Sequence, residues 1–229
     1  MRGAMIDRPS PNHGPRAGAV DMLVLHYTGM RSVEEALARL CSPTAAVSAH
    51  YLVGEDGMVW RLVNEDRRAW HAGVSSWRGQ RDVNGASIGI ELANPGHEFG
   101  YRAFPETQMA ALETLCRGIL GRHAVPARNV VGHSDVAPAR KQDPGELFDW
   151  PRLARAGIGL WPAEPVTTAP AAPAEAQRLL AAIGYATDEA AALVLAAFQR
   201  HFRPARCDGA LDAETASRIA AVAALCGAI

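Results

Sequence analysis

Residues 130–145 read VVGHSDVAPARKQDPG. His133, Asp135, Lys141 and Asp143 crowd into this stretch, and Pro138, Pro144 and Gly145 punctuate it. The two leading valines suit the last residues of a buried strand. Proline has no amide hydrogen to give and clashes with the preceding turn, so the segment is expected to leave the sheet as a shaped loop, not a regular helix. Loops held by a rigid scaffold are where chemistry is usually presented.

The rest of the chain supplies such a scaffold. Residues 22–28 (MLVLHYT) alternate as a strand, with Leu23, Leu25 and Tyr27 on one face and Val24, His26 and Thr28 on the other. Ser32 then caps a short helix carrying Val33, Ala36, Leu37 and Leu40, which Pro43 ends at the latest. Residues 47–53 and 58–63 flank Gly54-Glu55-Asp56-Gly57, a hairpin signal. Residues 64–86 read as a long irregular loop, and loops this long are uncommon unless functional. Residues 87–92 (SIGIEL) form a further strand, with Ile88, Ile90 and Leu92 opposite Gly89 and Glu91. Residues 105–123 carry Met109, Leu112, Leu115, Cys116, Ile119 and Leu120 at helical spacing. Strands alternating with helices predict an α/β or α+β domain.

The domain plan that follows is an irregular arm over 1–19, a catalytic-type domain over 20–160, a Pro/Ala-rich linker over 161–176, and a small three-helix domain over 177–229. The helices of the last part are expected over 175–183, 189–202 and 212–225, with Asp212 as an N-cap. A chain of 229 residues accommodates one good core and something smaller. A formal net charge of −1 gives no electrostatic case for nucleic acid or an anionic membrane. The four cysteines are scattered without a C-x-x-C, which argues against a disulfide framework or a cysteine zinc knuckle. No apolar run approaches the length of a membrane span, and residues 1–19 lack the apolar core of a secretory signal. Cytoplasmic residence is therefore the expectation, with the periplasm as the alternative if Met1 is not the natural start.

His26 lies near the end of one strand and His133 at the end of another, so both imidazoles converge at one rim of a sheet. Asp143 can return to that rim after the turn at Pro138. A catalytic zinc ion takes three such ligands and leaves a fourth position open. Glu91, on the face opposite Ile88, Ile90 and Leu92, suits a general base, and Lys141 suits a donor to a developing oxyanion. Spacing alone leaves these roles open. Asp143 before Pro144 also suits a turn, Glu91 an edge-strand charge, and Lys141 the solvent.

Six ordered motifs sharpen the reading: LVLHYTG, VSAHYLV, DGMVWRLV, RAWHAG, SIGIEL-x-NPG and GHSDVAP-x-RK-x-DPG. Together, over roughly residues 10–160, they resemble the zinc-dependent N-acetylmuramoyl-L-alanine amidases of amidase type 2. The resemblance implies a central mixed sheet flanked by helices, with His26, His133 and Asp143 as zinc ligands, Glu91 as general base and Lys141 as the stabiliser of the tetrahedral intermediate. It also implies substrate contacts at Trp70, His71 and Asn94, although His71 equally suits bracing its loop. His50 is expected to be buried or to support the ligands. The third ligand is Asp, as in the bacterial branch, where phage and animal relatives commonly have Cys. Phage relatives carry a catalytic Tyr just before the histidine of the hairpin strand; Ala49 stands there in this chain, which leaves the base role to Glu91 and makes Tyr51 a bystander. The implied substrate is the amide between N-acetylmuramic acid and L-Ala in muropeptides or peptidoglycan.

The C-terminal pattern of Val194, Leu195, Phe198-Gln199, Phe202, Asp208-Gly209, Thr215 and Ile219 resembles a three-helix peptidoglycan-binding module, where a generic helical appendage is the alternative. Two other classes compete with the amidase: a non-catalytic peptidoglycan receptor on the same fold, which is expected to lack a zinc ligand, and a zinc peptidase of the stem peptide, which does not predict the RAWHAG and SIGIEL motifs.

Overall fold

The computed structural model describes residues 5–162, 172–186 and 188–227. Its elements in chain order are β1 (Met5–Asp7), β2 (His13–Pro15), β3 (Met22–Tyr27), α1 (Val33–Leu40), β4 (Tyr51–Val53), β5 (Val59–Arg61), β6 (Arg67–Ala69), α2 (Val83–Ala86), β7 (Ser87–Leu92), α3 (Gly96–Phe99), α4 (Glu106–Arg122), β8 (Val130–Gly132), α5 (His133–Val136), α6 (Trp150–Arg155), α7 (Pro173–Ile183), α8 (Ala191–Phe202) and α9 (Ala213–Leu225). The main sheet runs β1-β5-β4-β7-β3-β8. It is mixed: β3 pairs parallel with β7 and β8, β4 pairs parallel with β7, and β4 and β5 form the antiparallel hairpin.

Strand alternation divides the two faces of the sheet. Leu23 and Leu25 of β3, Ile88, Ile90 and Leu92 of β7, and Val130 of β8 share a core with Met109, Leu112, Leu115, Cys116 and Ile119 of α4. That is the stripe expected from the 3.6-residue period. Buried Gln108 ties α4 to the sheet, its Nε2 donating to the carbonyls of Val53 and Ala93 at 3.0 and 2.9 Å.

The opposite face is shared. Over β4, Leu52 packs with Ala36, Leu37 and Leu40 of α1, whose N-terminus is capped as expected by Ser32, accepting from the Glu35 amide at 3.2 Å. Over β3 and β8, Met22, Val24 and Val131 pack with Leu179, Leu180, Phe198, Phe202, Ile219 and Val222 of α7–α9. The three C-terminal helices thus share one core with the sheet. Asp212 caps α9 by accepting from the Thr215 amide at 2.9 Å.

Several local expectations change. Within residues 1–19, β1 pairs parallel with β5 at the edge of the main sheet, and β2 pairs antiparallel with β6 to form a second, two-stranded sheet. The long loop over 64–86 contains β6 and the single turn α2. His133–Val136 forms one helical turn before Pro138, where a loop was expected directly from the strand; Pro138 lies beyond that turn and does not oppose it. Residues 163–171, most of the expected linker, lie outside the described residues.

Candidate active site

His26 is the next-to-last residue of β3, and its parallel register pairs it with Glu91 of β7. β8 pairs Gly132 with Leu25, so the chain delivers His133 beside His26 one step further along. Asp143 returns to the same point, with its carbonyl accepting from the Ser134 amide at 2.9 Å. The result is a compact buried set. His26 Nδ1 lies 3.0 Å from His133 Nδ1 and 3.0 Å from Asp143 Oδ2, and His133 Nδ1 lies 3.1 Å from that same oxygen.

The outer nitrogens fix which atoms face inward. His133 Nε2 donates to the Ala72 carbonyl at 3.1 Å, leaving the Nδ1 lone pair for the cluster. His26 Nε2 is 3.0 Å from His71 Nδ1, and His71 Nε2 is 3.2 Å from Ser87 Oγ, whose hydroxyl donates to the Val83 carbonyl at 2.5 Å. Read from that carbonyl acceptor backwards, each imidazole donates outward and His26 also turns a lone pair inward. Two imidazole lone pairs and a carboxylate oxygen therefore aim at one point. Donor atoms around tetrahedral zinc, with bonds of about 2.0–2.1 Å, sit roughly 3.3 Å apart, close to the spacing here. The set fits a divalent metal of this kind.

Burial and charge agree. Burial, followed by the neighbouring His133, pushes His26 down to about 4, which keeps it neutral. Burial alone would raise the Asp143 carboxyl, but the two imidazoles against it outweigh burial and hold it below its usual range. Burial also raises the Glu91 carboxyl well above its ordinary value; Asp143 adds to this and Lys141 opposes it. Glu91 Oε2 is buried and has no hydrogen-bond partner among the described residues.

These residues line a cleft of about 370 Å³, with α1 as one wall through Ala36, Arg39 and Leu40. Trp70, His71, Arg140, Lys141 and Gln142 are among the other lining residues. The Lys141 ammonium has no ion-pair partner among the described residues, which leaves it available to a ligand in the cleft.

The three residues expected to touch substrate have different settings. Trp70 lines the cleft. His71 spends both ring nitrogens on His26 and Ser87, so its geometry is that of a brace for His26. Asn94 is buried away from the cleft lining, with Nδ2 donating to the Arg102 carbonyl at 2.7 Å and Oδ1 accepting from the Gly96 amide at 3.0 Å; it shapes the turn after β7. His50 is fully buried and its Nδ1 accepts from the Gly89 amide at 2.9 Å. The Tyr51 hydroxyl donates to Glu65 at 2.7 Å and takes no part in the cleft lining.

Two supporting residues escaped the sequence. Gly89 is the register partner of Val24 on the His26 face, and a Cβ there would collide with the His71 ring. Asn84 Oδ1 accepts from the amides of His71 and Ala72 at 3.0 and 2.8 Å, fixing the loop that meets both His26 and His133. The strand period places Gly89 on the His26 face; nothing in the sequence announces Asn84.

A buried His/His/Asp cluster at the ends of parallel strands, beside a buried glutamate and a lysine, is an arrangement suited to metal-assisted hydrolysis. The profile of the N-acetylmuramoyl-L-alanine amidase family matches residues 16–146, and the chain belongs to that family. It is 40% identical to the N-acetylmuramoyl-L-alanine amidase AmiD of Escherichia coli K12, over 86% of this chain and 79% of that one. The structure of E. coli AmiD in complex with anhydro-N-acetylmuramic acid-L-Ala-D-γ-Glu-L-Lys superposes with a TM-score of 0.83 at 37% identity, covering 97% of this chain and 94% of AmiD. The crystal structure of AmpDh3 from Pseudomonas aeruginosa gives 0.80 at 36% identity, with 94% of each chain covered. A crystal structure of AmpD gives 0.60 at 33% identity, covering 66% of this chain and 93% of AmpD.

Proposed function

We propose that this chain uses zinc to hydrolyse the amide between the lactyl group of N-acetylmuramic acid and L-Ala of the stem peptide. The carrying observation is the convergence of His26, His133 and Asp143 with Glu91 at the register position beside His26. His26 and His133 would hold the metal through Nδ1 and Asp143 through Oδ2. Zinc bound there supplies Lewis acidity, polarising a carbonyl and making water nucleophilic near neutral pH.

The chain's own groups do the rest. Glu91 accepts the proton of the attacking water, which its partnerless buried oxygen is placed to do. Lys141 donates to the oxygen that gains charge as the carbonyl becomes tetrahedral. Glu91 then passes its proton to the L-Ala nitrogen, and the C–N bond breaks to give a free muramic carboxylate and a stem peptide with a new amine. Trp70 supplies an aromatic wall for substrate in the cleft. The intact donor set also separates this reading from a receptor that binds wall without cutting it.

A muramoyl tripeptide of the L-Ala-D-γ-Glu-L-Lys type tests the bond assignment. A product with a free L-Ala amine supports the amidase, whereas a cut between stem residues makes the chain a peptidase. For α7–α9, the resemblance to a peptidoglycan-binding module supports contact with the wall; sacculus sedimentation with the Glu91→Gln protein reads that directly, and loss of cosedimentation on replacing exposed residues of these helices is the expected result.

A further inference from the structure

Asp135 lies two residues beyond His133 and is almost fully buried, with 1% of its surface exposed. A carboxylate in such a place is costly unless its oxygens are met by donors. Among the described residues three donors meet it. The Gly132 amide donates to Oδ2 at 2.7 Å, which caps the turn that carries His133. The other two come from the C-terminal helices: Tyr185, just past α7, donates its hydroxyl to Oδ1 at 2.6 Å, and His201 of α8 donates from Nδ1 to Oδ2 at 2.7 Å.

Both donors are themselves immobilised. His201 stacks on Trp150 at 3.7 Å between ring centroids, and Tyr185 meets Trp77 edge-on at 5.1 Å. Arg78 donates from Nη1 to the carbonyls of Ala182 and Ile183 at 3.0 and 2.7 Å, clamping the end of α7 to the loop that follows Ala72. That loop is the same one whose Ala72 carbonyl orients His133.

We propose that the C-terminal helices are the outer brace of the metal site: Tyr185 and His201 hold Asp135, and through it the turn that presents His133. Asp135, Tyr185 and His201 are positioning residues, for none of them lines the cleft. Metal ligands need their geometry held to about 0.5 Å, and removing an outer-layer partner typically lowers metal affinity 10- to 100-fold. The helices therefore serve the reaction whether or not they also contact the wall. The inference rests on the reading of His133 as a ligand.

Full-length Tyr185→Phe and His201→Phe proteins test it, because each keeps an aromatic ring in the core and removes one donor. Leu179→Ala is the comparison: it weakens the same core but makes none of these hydrogen bonds. In metal-free protein, amide exchange over 132–136 is expected to be faster in the two donor variants than in Leu179→Ala. Zinc affinity by chelator competition should fall about 10-fold, with kcat reduced and KM nearly unchanged. Exchange over 132–136 no faster than in Leu179→Ala would overturn the brace and leave the helices as packing alone. Faster exchange with unaltered zinc affinity would uphold the brace and count instead against His133 as a ligand.

Discussion

His26 and Glu91 are register partners on neighbouring parallel strands, so the pleat turns both side chains to the same face of the sheet. Because that geometry comes from the backbone, replacing Glu91 by Gln should leave the metal cluster intact. The Glu91→Gln protein is expected to keep its zinc by elemental analysis and to lose about 100-fold or more in kcat. Near wild-type turnover would remove Glu91 from the base role.

The raised Glu91 carboxyl also sets a pH dependence. The base must be ionised, so kcat/KM should rise with pH through the raised Glu91 value, above the ordinary 4.5 of a glutamate, and this rising limb should be absent in Glu91→Gln. The stability consequence has the opposite sign. The folded state holds this proton more tightly than the unfolded one, so metal-free protein loses stability as pH rises from about 4.5 through the folded value. Metal-free Glu91→Gln should accordingly melt higher than wild type at neutral pH, and the difference should close as pH falls towards 4.5.

Asp143 and Lys141 stand close in sequence yet have separable roles. Asp143→Ala removes a donor atom and leaves two histidines, so zinc content after dialysis should drop steeply. Lys141→Met keeps the chain length and all three metal donors. It is expected to retain zinc while losing about 100-fold in kcat, the usual cost of removing one donor to an oxyanion.

Gly89 tests the support beneath His26. An added Cβ there drives into the His71 ring, and moving that ring takes away the partner of His26 Nε2. Gly89→Ala is expected to fold, judged by its circular dichroism, and to bind zinc about 10-fold more weakly. Unchanged affinity would mean that His71 does not orient His26.

Strand alternation places His26 opposite Leu23 and Leu25 and Glu91 opposite Ile88 and Ile90, whereas His133 and Asp143 lie beyond the strand and are legible only through their motif. Two helix starts were legible from their side-chain caps, Ser32 for α1 and Asp212 for α9. What escaped depends on partners far along the chain. Residues 5–7 become a strand only because β5 offers an edge, and pairing of three residues leaves no pattern to read. The alanine-rich helices showed their apolar stripes but not that these would cover Met22, Val24 and Val131. His71 and Asn94 carry family motifs, but motif spacing does not contain their hydrogen bonds to Ser87 and Arg102.

The central claim is a zinc-dependent amidase, and a mass-spectrometric digest of purified muropeptides and intact sacculi, before and after chelation, tests it most directly. The account predicts stem peptides beginning at L-Ala, released by the native protein, lost on chelation and restored by added zinc. Binding of muropeptide without any cleavage, or cleavage that survives complete removal of the metal, would contradict it.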